Sequence, residues 1–216
     1  MNMHFPSAHL VHSALLSIAM AVFMMPPATA QDLGNCGSLE NGYGPYDYRI
    51  ATPAQKHIVE SYHFTHSVEM LQHGNTSSLG GDLDYTLRAF PNHRQALLAM
   101  IRLGRRDKTA QPKGAQWTVD CYLERAIRFQ PDDAGVRELR GIYYSMQHKY
   151  KDAIADFKEV LEAAPNNANA HYNLGLAYFE VGDYAGAREE ALVAKKLGFP
   201  LQGLENMLKA KKQWAE

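Results

Sequence analysis

Cysteine and tryptophan are scarce in this chain of 216 residues, with two of each. The two cysteines, Cys36 and Cys121, form no CxxC pair, so neither a thiol oxidoreductase nor a cysteine-built metal site is supported. No G-x-S-x-G, no phosphate-binding glycine loop and no zincin HExxH occurs, so the familiar routes to nucleophilic, phosphoryl and zinc chemistry are missing. Asp82, Asp84, Asp132 and Asp133 read as helix-start residues. Excess charge is lacking as well. A net charge of -1 argues against broad nucleic-acid binding. The expectation is a protein without catalytic activity and without a cofactor. What is present is ordinary globular material, 46% hydrophobic and 21% charged, with room for a sizeable core.

Residues 1–30 lack Asp, Glu, Lys and Arg altogether. An apolar run from Ala14 to Met25, interrupted only by Ser17, leads to Ala28-Thr29-Ala30. This is the pattern of a secretory signal peptide with an A-x-A cleavage site, too short to span a membrane well. The usual positive start is replaced by His4, His9 and His12. The expectations are a mature chain from Gln31, a periplasmic or secreted location, and no stable membrane insertion after cleavage. In an oxidising compartment an even cysteine count suggests a Cys36–Cys121 bridge, with a buried free thiol at Cys121 as the alternative. Residues 31–52 read as irregular, broken by Gly34, Gly37, Gly42, Gly44 and Pro45. Their Tyr43-Gly44-Pro45-Tyr46-Asp47-Tyr48-Arg49 stretch either packs on the chain itself or straps a partner.

The rest of the chain repeats. Between Gln130 and Pro200 a shift of about 34 residues lays the chain on itself. Pro131 falls on Pro165, Ala134 on Ala168, Gly141 on Gly175, Tyr144 on Tyr178, Tyr150 on Tyr184 and Ala153 on Ala187. The last unit reads His171-x2-Leu174-Gly175-x2-Tyr178, then Ala187-x3-Ala191. The unit before it reads Arg137-x2-Arg140-Gly141-x2-Tyr144, then Ala153-x3-Phe157 and Pro165. The pattern resembles the tetratricopeptide repeat family, with Arg137 and His171 in place of Trp, Arg140 in place of Leu, and Ala191 in place of the aromatic. The resemblance implies an all-α, right-handed superhelix of stacked helical hairpins: about four hairpins plus a C-terminal capping helix. Mid-helix Gly141 and Gly175 would let a neighbouring helix approach closely. Asp132 and Asn166 would cap the helices after Pro131 and Pro165.

The organisation that follows is a signal peptide over 1–30, an irregular extension over 31–52, a repeat domain over 53–200 and a capping helix over 201–216. Thr52-Pro53-Ala54-Gln55 is a capping box that opens a first helix running to about Gln72. A second helix covers Asp82 to Phe90. The next hairpin pairs His93–Leu103 with Gln116–Phe129 across a basic loop, Arg105 to Gly114, and is six residues longer than its neighbours. That loop is either solvated or part of a functional face. After Pro200, Leu201, Leu204, Met207 and Leu208 form one apolar stripe beside Lys209, Lys211 and Lys212, with Trp214 beyond.

The first helices of the hairpins would line a concave surface. The residues expected there are Glu138, Leu139, Ile142, Ser145 and Met146 in the third hairpin. In the fourth they are Tyr172, Asn173, Leu176 and Phe179. The family resemblance gives Asn173, directly before Leu174-Gly175, the role of a ligand-bonding amide, with a purely structural role as the alternative. The lysines of the carboxylate-clamp subtype are absent, so an apolar or aromatic partner segment fits better. The function expected is a non-catalytic scaffold binding a protein or peptide. The alternative is a metal-binding accessory protein using His57, His63, His66 and His73. Of these, His63 and His66 would share a helix face, with Glu60 or Glu69 as further ligands.

Overall fold

The computed structural model describes residues 36–214, which all fall in one unit. The expected signal peptide and the expected cleavage point at Gln31 lie outside the described residues. Ten helices and no strand occur among the described residues. They run α1 Pro53–Glu60, α2 His66–Glu69, α3 Leu79–Ala89, α4 Arg94–Asp107, α5 Val119–Phe129, α6 Ala134–Met146, α7 Tyr150–Ala163, α8 Ala168–Glu180, α9 Tyr184–Lys196 and α10 Gly203–Ala210. Each of α4–α5, α6–α7 and α8–α9 is a hairpin, and α1 and α2 together pair with α3. Successive first helices touch, α4 with α6 and α6 with α8, and α10 closes the stack on α8 and α9. The chain is thus a tetratricopeptide-type solenoid.

Local chemistry explains where the helices start. A turn in which Asp133 N–H donates to the Gln130 carbonyl (3.1 Å) moves the cap one residue past the expected Asp132. Asp133 then accepts from Gly135 and Val136 N–H. The same turn, Asn167 N–H to the Ala164 carbonyl (3.0 Å), makes Asn167 rather than Asn166 the cap of α8. Thr52 and Gln55 form the expected capping box at α1.

Several expected helices differ. The first is broken: α1 stops at Glu60 and α2 begins after Thr65. The break lets His63 turn to Asp82 (3.1 Å) and Phe64 pack edge-on against His93 (4.5 Å between centroids). In the second hairpin α4 runs on to Asp107. Lys108, in the left-handed region at φ 51°, ends it by letting Thr109 N–H reach the Gly104 carbonyl. The return helix starts at Val119 under a Thr118 cap, which leaves Trp117 in the loop.

The repeat residues pack as their types require. A Cβ on Gly141 would stand 2.7 Å from the Phe157 ring, and one on Gly175 would stand 2.6 Å from Leu204 of α10. Arg140, which replaces the usual Leu, grips the buried Asp156 with two N–H groups (2.9 and 2.7 Å) and reaches Glu124 with a third (2.9 Å). A forked guanidinium–carboxylate pair holds α6 to α7 where an apolar contact would otherwise do so.

Asp82 and Asp84 are not simple helix-start residues. Asp82, fully buried, gathers the backbone N–H groups of Asn75, Thr76 and Ser77 and so folds the loop before α3. Those donors, with His63 and the Thr76 hydroxyl, outweigh the cost of burial and hold its carboxyl below the usual range. Asp84 accepts from Arg88, the Tyr122 hydroxyl and Gln116 N–H, tying α3 to α5.

The irregular extension packs on its own chain. Tyr43, Tyr46 and Tyr48 cluster with Val59, Ala89 and Phe90. Tyr46 N–H donates to the Ala89 carbonyl (2.9 Å), and a Cβ on Gly44 would strike that same carbonyl. Asn92 donates to both Asp47 (2.7 Å) and Asp133 (3.0 Å) and accepts from Tyr48 N–H. At its start, Cys36 is bonded to Cys121 of α5. Arg125, 1% exposed, donates to the carbonyls of Cys36 (2.8 Å) and Ser38 (2.6 Å) with its guanidinium on the Trp117 ring.

The bridge closes a loop over a separation of 85 residues. In the chain-entropy picture such a loop is worth on the order of 4 kcal/mol. Cys36→Ala with Cys121→Ala should therefore lower the melting temperature by on the order of 10 °C. The helical circular dichroism should be retained at room temperature, because each hairpin is held by its neighbours. An unchanged melting temperature would mean that the bridge does not hold the extension down.

Candidate functional site

The face expected to be concave is built from the first helices α4, α6 and α8, which touch in succession. The helix starts are 34 residues apart between α6 and α8 and 40 apart between α4 and α6. Equivalent positions therefore stand side by side. Leu98, Glu138 and Tyr172 make one row, and Arg102, Ile142 and Leu176 make the next.

A cavity of about 280 Å³ opens on this face between α4 and α6. Its walls are Arg94, Gln95 and Leu98 on one side and Gly135, Glu138, Leu139 and Ile142 on the other. The structure thus brings the expected Glu138, Leu139 and Ile142 together on one cavity. Gly135 matters here, because a Cβ at that position would collide with the Arg94 side chain lying across it. Glu138 is steadied by Asn167 Nδ2 (3.1 Å). Ser145 is half-buried and Met146 exposed farther along α6.

The expected α8 residues sit differently. The Tyr172 ring stacks on Phe199 (4.2 Å), and its hydroxyl accepts from Leu204 N–H (3.3 Å). Leu176 and Phe179 are half-buried against Ala187, Ala191, Leu204 and Leu208. Most of this aromatic end is therefore engaged by the chain's own α9 and α10. Asn173 is half-exposed, and its side chain makes no hydrogen bond among the described residues. The open cavity lies between the second and third hairpins, not between the third and fourth.

Arg94, Gln95, Leu98 and Gly135 were not among the residues expected at the site. A signal for them exists. Stepping back 40 residues from Glu138 and Ile142, the offset between α4 and α6, lands on Leu98 and Arg102.

The histidines of the first hairpin are separated by the helix break. His63 is committed to Asp82 and stacks on Tyr85 (3.8 Å), His57 faces Ser61, and His66 is 81% exposed. His63 and His66 do not share a helix face. No cluster of three metal-ligating side chains occurs among the described residues.

A second polar group lies at the base of α4. His93 is 1% exposed and caps α4, accepting from Ala96 N–H at Nδ1 (3.3 Å). Its proton therefore sits on Nε2, which faces Glu60 at 3.7 Å. The Tyr48 ring covers the imidazole (3.9 Å), and the Tyr48 hydroxyl donates to the same carboxylate (2.7 Å). Burial lowers the basicity of His93. The His93 imidazole, assisted by Tyr48 and opposed by burial, holds Glu60 down at about 2.

The face and the fold together define a helical-repeat solenoid with a groove on its inner side. Residues 138–198 match the model of the tetratricopeptide repeat. The chain is 36% identical over 78 residues to bacteriophage adsorption protein A of Escherichia coli K12, covering 36% of this chain and 8% of that one. It is 33% identical over 75 residues to the SGT1 homolog of Bos taurus, covering 35% and 22%. To the peroxisomal targeting signal receptor of Candida albicans it is 29% identical over 75 residues, covering 35% and 12%. The chain spans less than a quarter of each of these relatives. Among solved structures, MamA aligns over 70% of this chain and 80% of its own at 18% identity, with a TM-score of 0.46.

Acidification should weaken the fold in two stages. Below about pH 6.5 an unfolded His93 takes up a proton that the folded chain resists, so stability falls. The contribution of Glu60 is present above its ordinary value of 4.5 and is lost as pH falls toward 2. His93→Asn keeps an acceptor for the α4 cap but removes the first stage. Urea midpoints at pH 7 and pH 5 should differ less in this variant than in the parent. An equal drop in both would exclude His93 as the source.

Proposed function

We propose that the chain is an exported, periplasmic or secreted, scaffold that holds a protein or peptide partner in its concave face and does no chemistry itself. The observation that carries this reading is the cavity between α4 and α6, with Leu98, Leu139 and Ile142 exposed to it on rigid helices. An extended segment needs a few apolar anchors buried and its backbone groups satisfied. Leu98 and Ile142 serve the first need, and the uncommitted amide of Asn173 serves the second. The repeat match supports an interaction role, and the fungal relative is itself a receptor for a targeting signal. Export is supported by the A-x-A site before Gln31 and by a cystine, which persists where the compartment is oxidising. The chain carries no helix among its described residues long and apolar enough to cross a membrane.

Ile142→Asp places a charge on the cavity wall at a half-buried side chain that also packs against the cluster of Ala153, Phe157, Leu174 and Ala177. Proteins retained by the immobilised mature chain from its native host should be reduced by about tenfold on this variant. Thermal unfolding should show the variant still folded, with a loss of about 1–3 kcal/mol. Undiminished retention by a folded Ile142→Asp chain would overturn the groove.

Export has its own test. N-terminal sequencing of the protein from its native host should begin at Gln31, and a chain still starting at Met1 would refute it.

A further inference from the structure

The concave face is graded in charge along α4. Arg94, Leu98, Arg102 and Arg105 lie within one sector of that helix, because their spacings bring them round to the same side. Arg94 and Leu98 line the cavity toward α6, while Arg102, Arg105 and Arg106 line a second hollow farther along the helix. Arg102 and Arg105 are exposed. Of the other arginines, Arg49, Arg88, Arg106, Arg137 and Arg140 each hold a carboxylate, and Arg125 and Arg128 hold backbone carbonyls. Arg94, Arg102 and Arg105 make no ion pair among the described residues. Arg188 is also without an ion pair among the described residues, but it stands on α9, a second helix of its hairpin. The one carboxylate on the cavity wall, Glu138, is bonded to Asn167 and stands on the side away from Arg105.

We propose that the partner is an extended acidic segment: an apolar side chain seated among Leu98, Leu139 and Ile142, with Asp or Glu two or three residues away on Arg102 and Arg105. This rests on the groove reading above. The spacing follows from geometry. Leu98 and Arg105 are seven positions apart on α4, about 10 Å along the axis at roughly 1.5 Å per residue. An extended chain covers that distance in about three residues. Guanidinium groups suit the task, since each can take a carboxylate with two N–H groups at once. Glu138 keeps the acid at the arginine end of the groove, because a carboxylate placed at the cavity end would face it.

A phage-displayed library of random peptides of about twelve residues, selected on the immobilised full chain, tests this directly. The enriched sequences should carry an apolar residue with Asp or Glu two or three positions away, on one consistent side. A synthetic copy of the strongest should lose binding by at least about tenfold on Arg102→Glu with Arg105→Glu, and should weaken steeply with salt. Both arginines are exposed, so thermal unfolding should show the variant folded. Enriched peptides that are lost on Ile142→Asp but carry no acidic bias would overturn the acidic partner and leave the groove standing. So would equal binding to the charge-reversed variant. No enrichment at all, or peptides indifferent to Ile142→Asp, would overturn both readings.

Discussion

A helical hairpin has an apolar stripe on both sides and no way to bury both by itself. Every stabilising contact in this chain answers that constraint. Phe157 lies over the bare backbone at Gly141, and Leu204 over Gly175, because only a missing side chain lets the next layer close to packing distance. Burial therefore comes from neighbours, one interface at a time. The last interface is closed by α10, whose Leu204 and Leu208 are fully buried.

The first hairpin meets the same constraint less regularly. Its leading helix is broken, and polar contacts replace layered packing. Asp82 draws three backbone amides inward, and His93 fits between Tyr48 and Phe64 while capping α4. The extension over 36–51 ties this end together. It is bonded to α5 through Cys36, held by Arg125, and linked through Asp47 and Asn92 to the cap of α6. A solenoid whose contacts are otherwise between nearest neighbours thus gains links across three hairpins.

That arrangement bears on function. The strap consumes the tyrosines that could have held a partner, and α10 consumes most of the aromatic end of α8. What is left free on the concave side is the α4–α6 wall, aliphatic at its centre and arginine-rich along α4. Rigid first helices present these side chains without any rearrangement, and an extended ligand gains most from such a preformed surface.

A residue type recurring every 34 positions records which side of each helix is covered, so hairpins and close glycine contacts were legible before any coordinates, and the apolar stripe of Leu201, Leu204, Met207 and Leu208 marked the closing helix. Glu138, Leu139 and Ile142 were legible for the same reason. The break between Glu60 and His66 was not, because it depends on Asp82, far along the chain, offering His63 a partner. Asp133 displaced Asp132 as a cap through a turn that residue preference does not specify. The free stretch of groove was decided only in three dimensions. Tyr172 has the same composition whether it meets a partner or Phe199, and Arg102 the same charge whether paired or bare. Which of them is spent depends on where α10 and the neighbouring carboxylates come to rest, and that is a property of packing between distant segments.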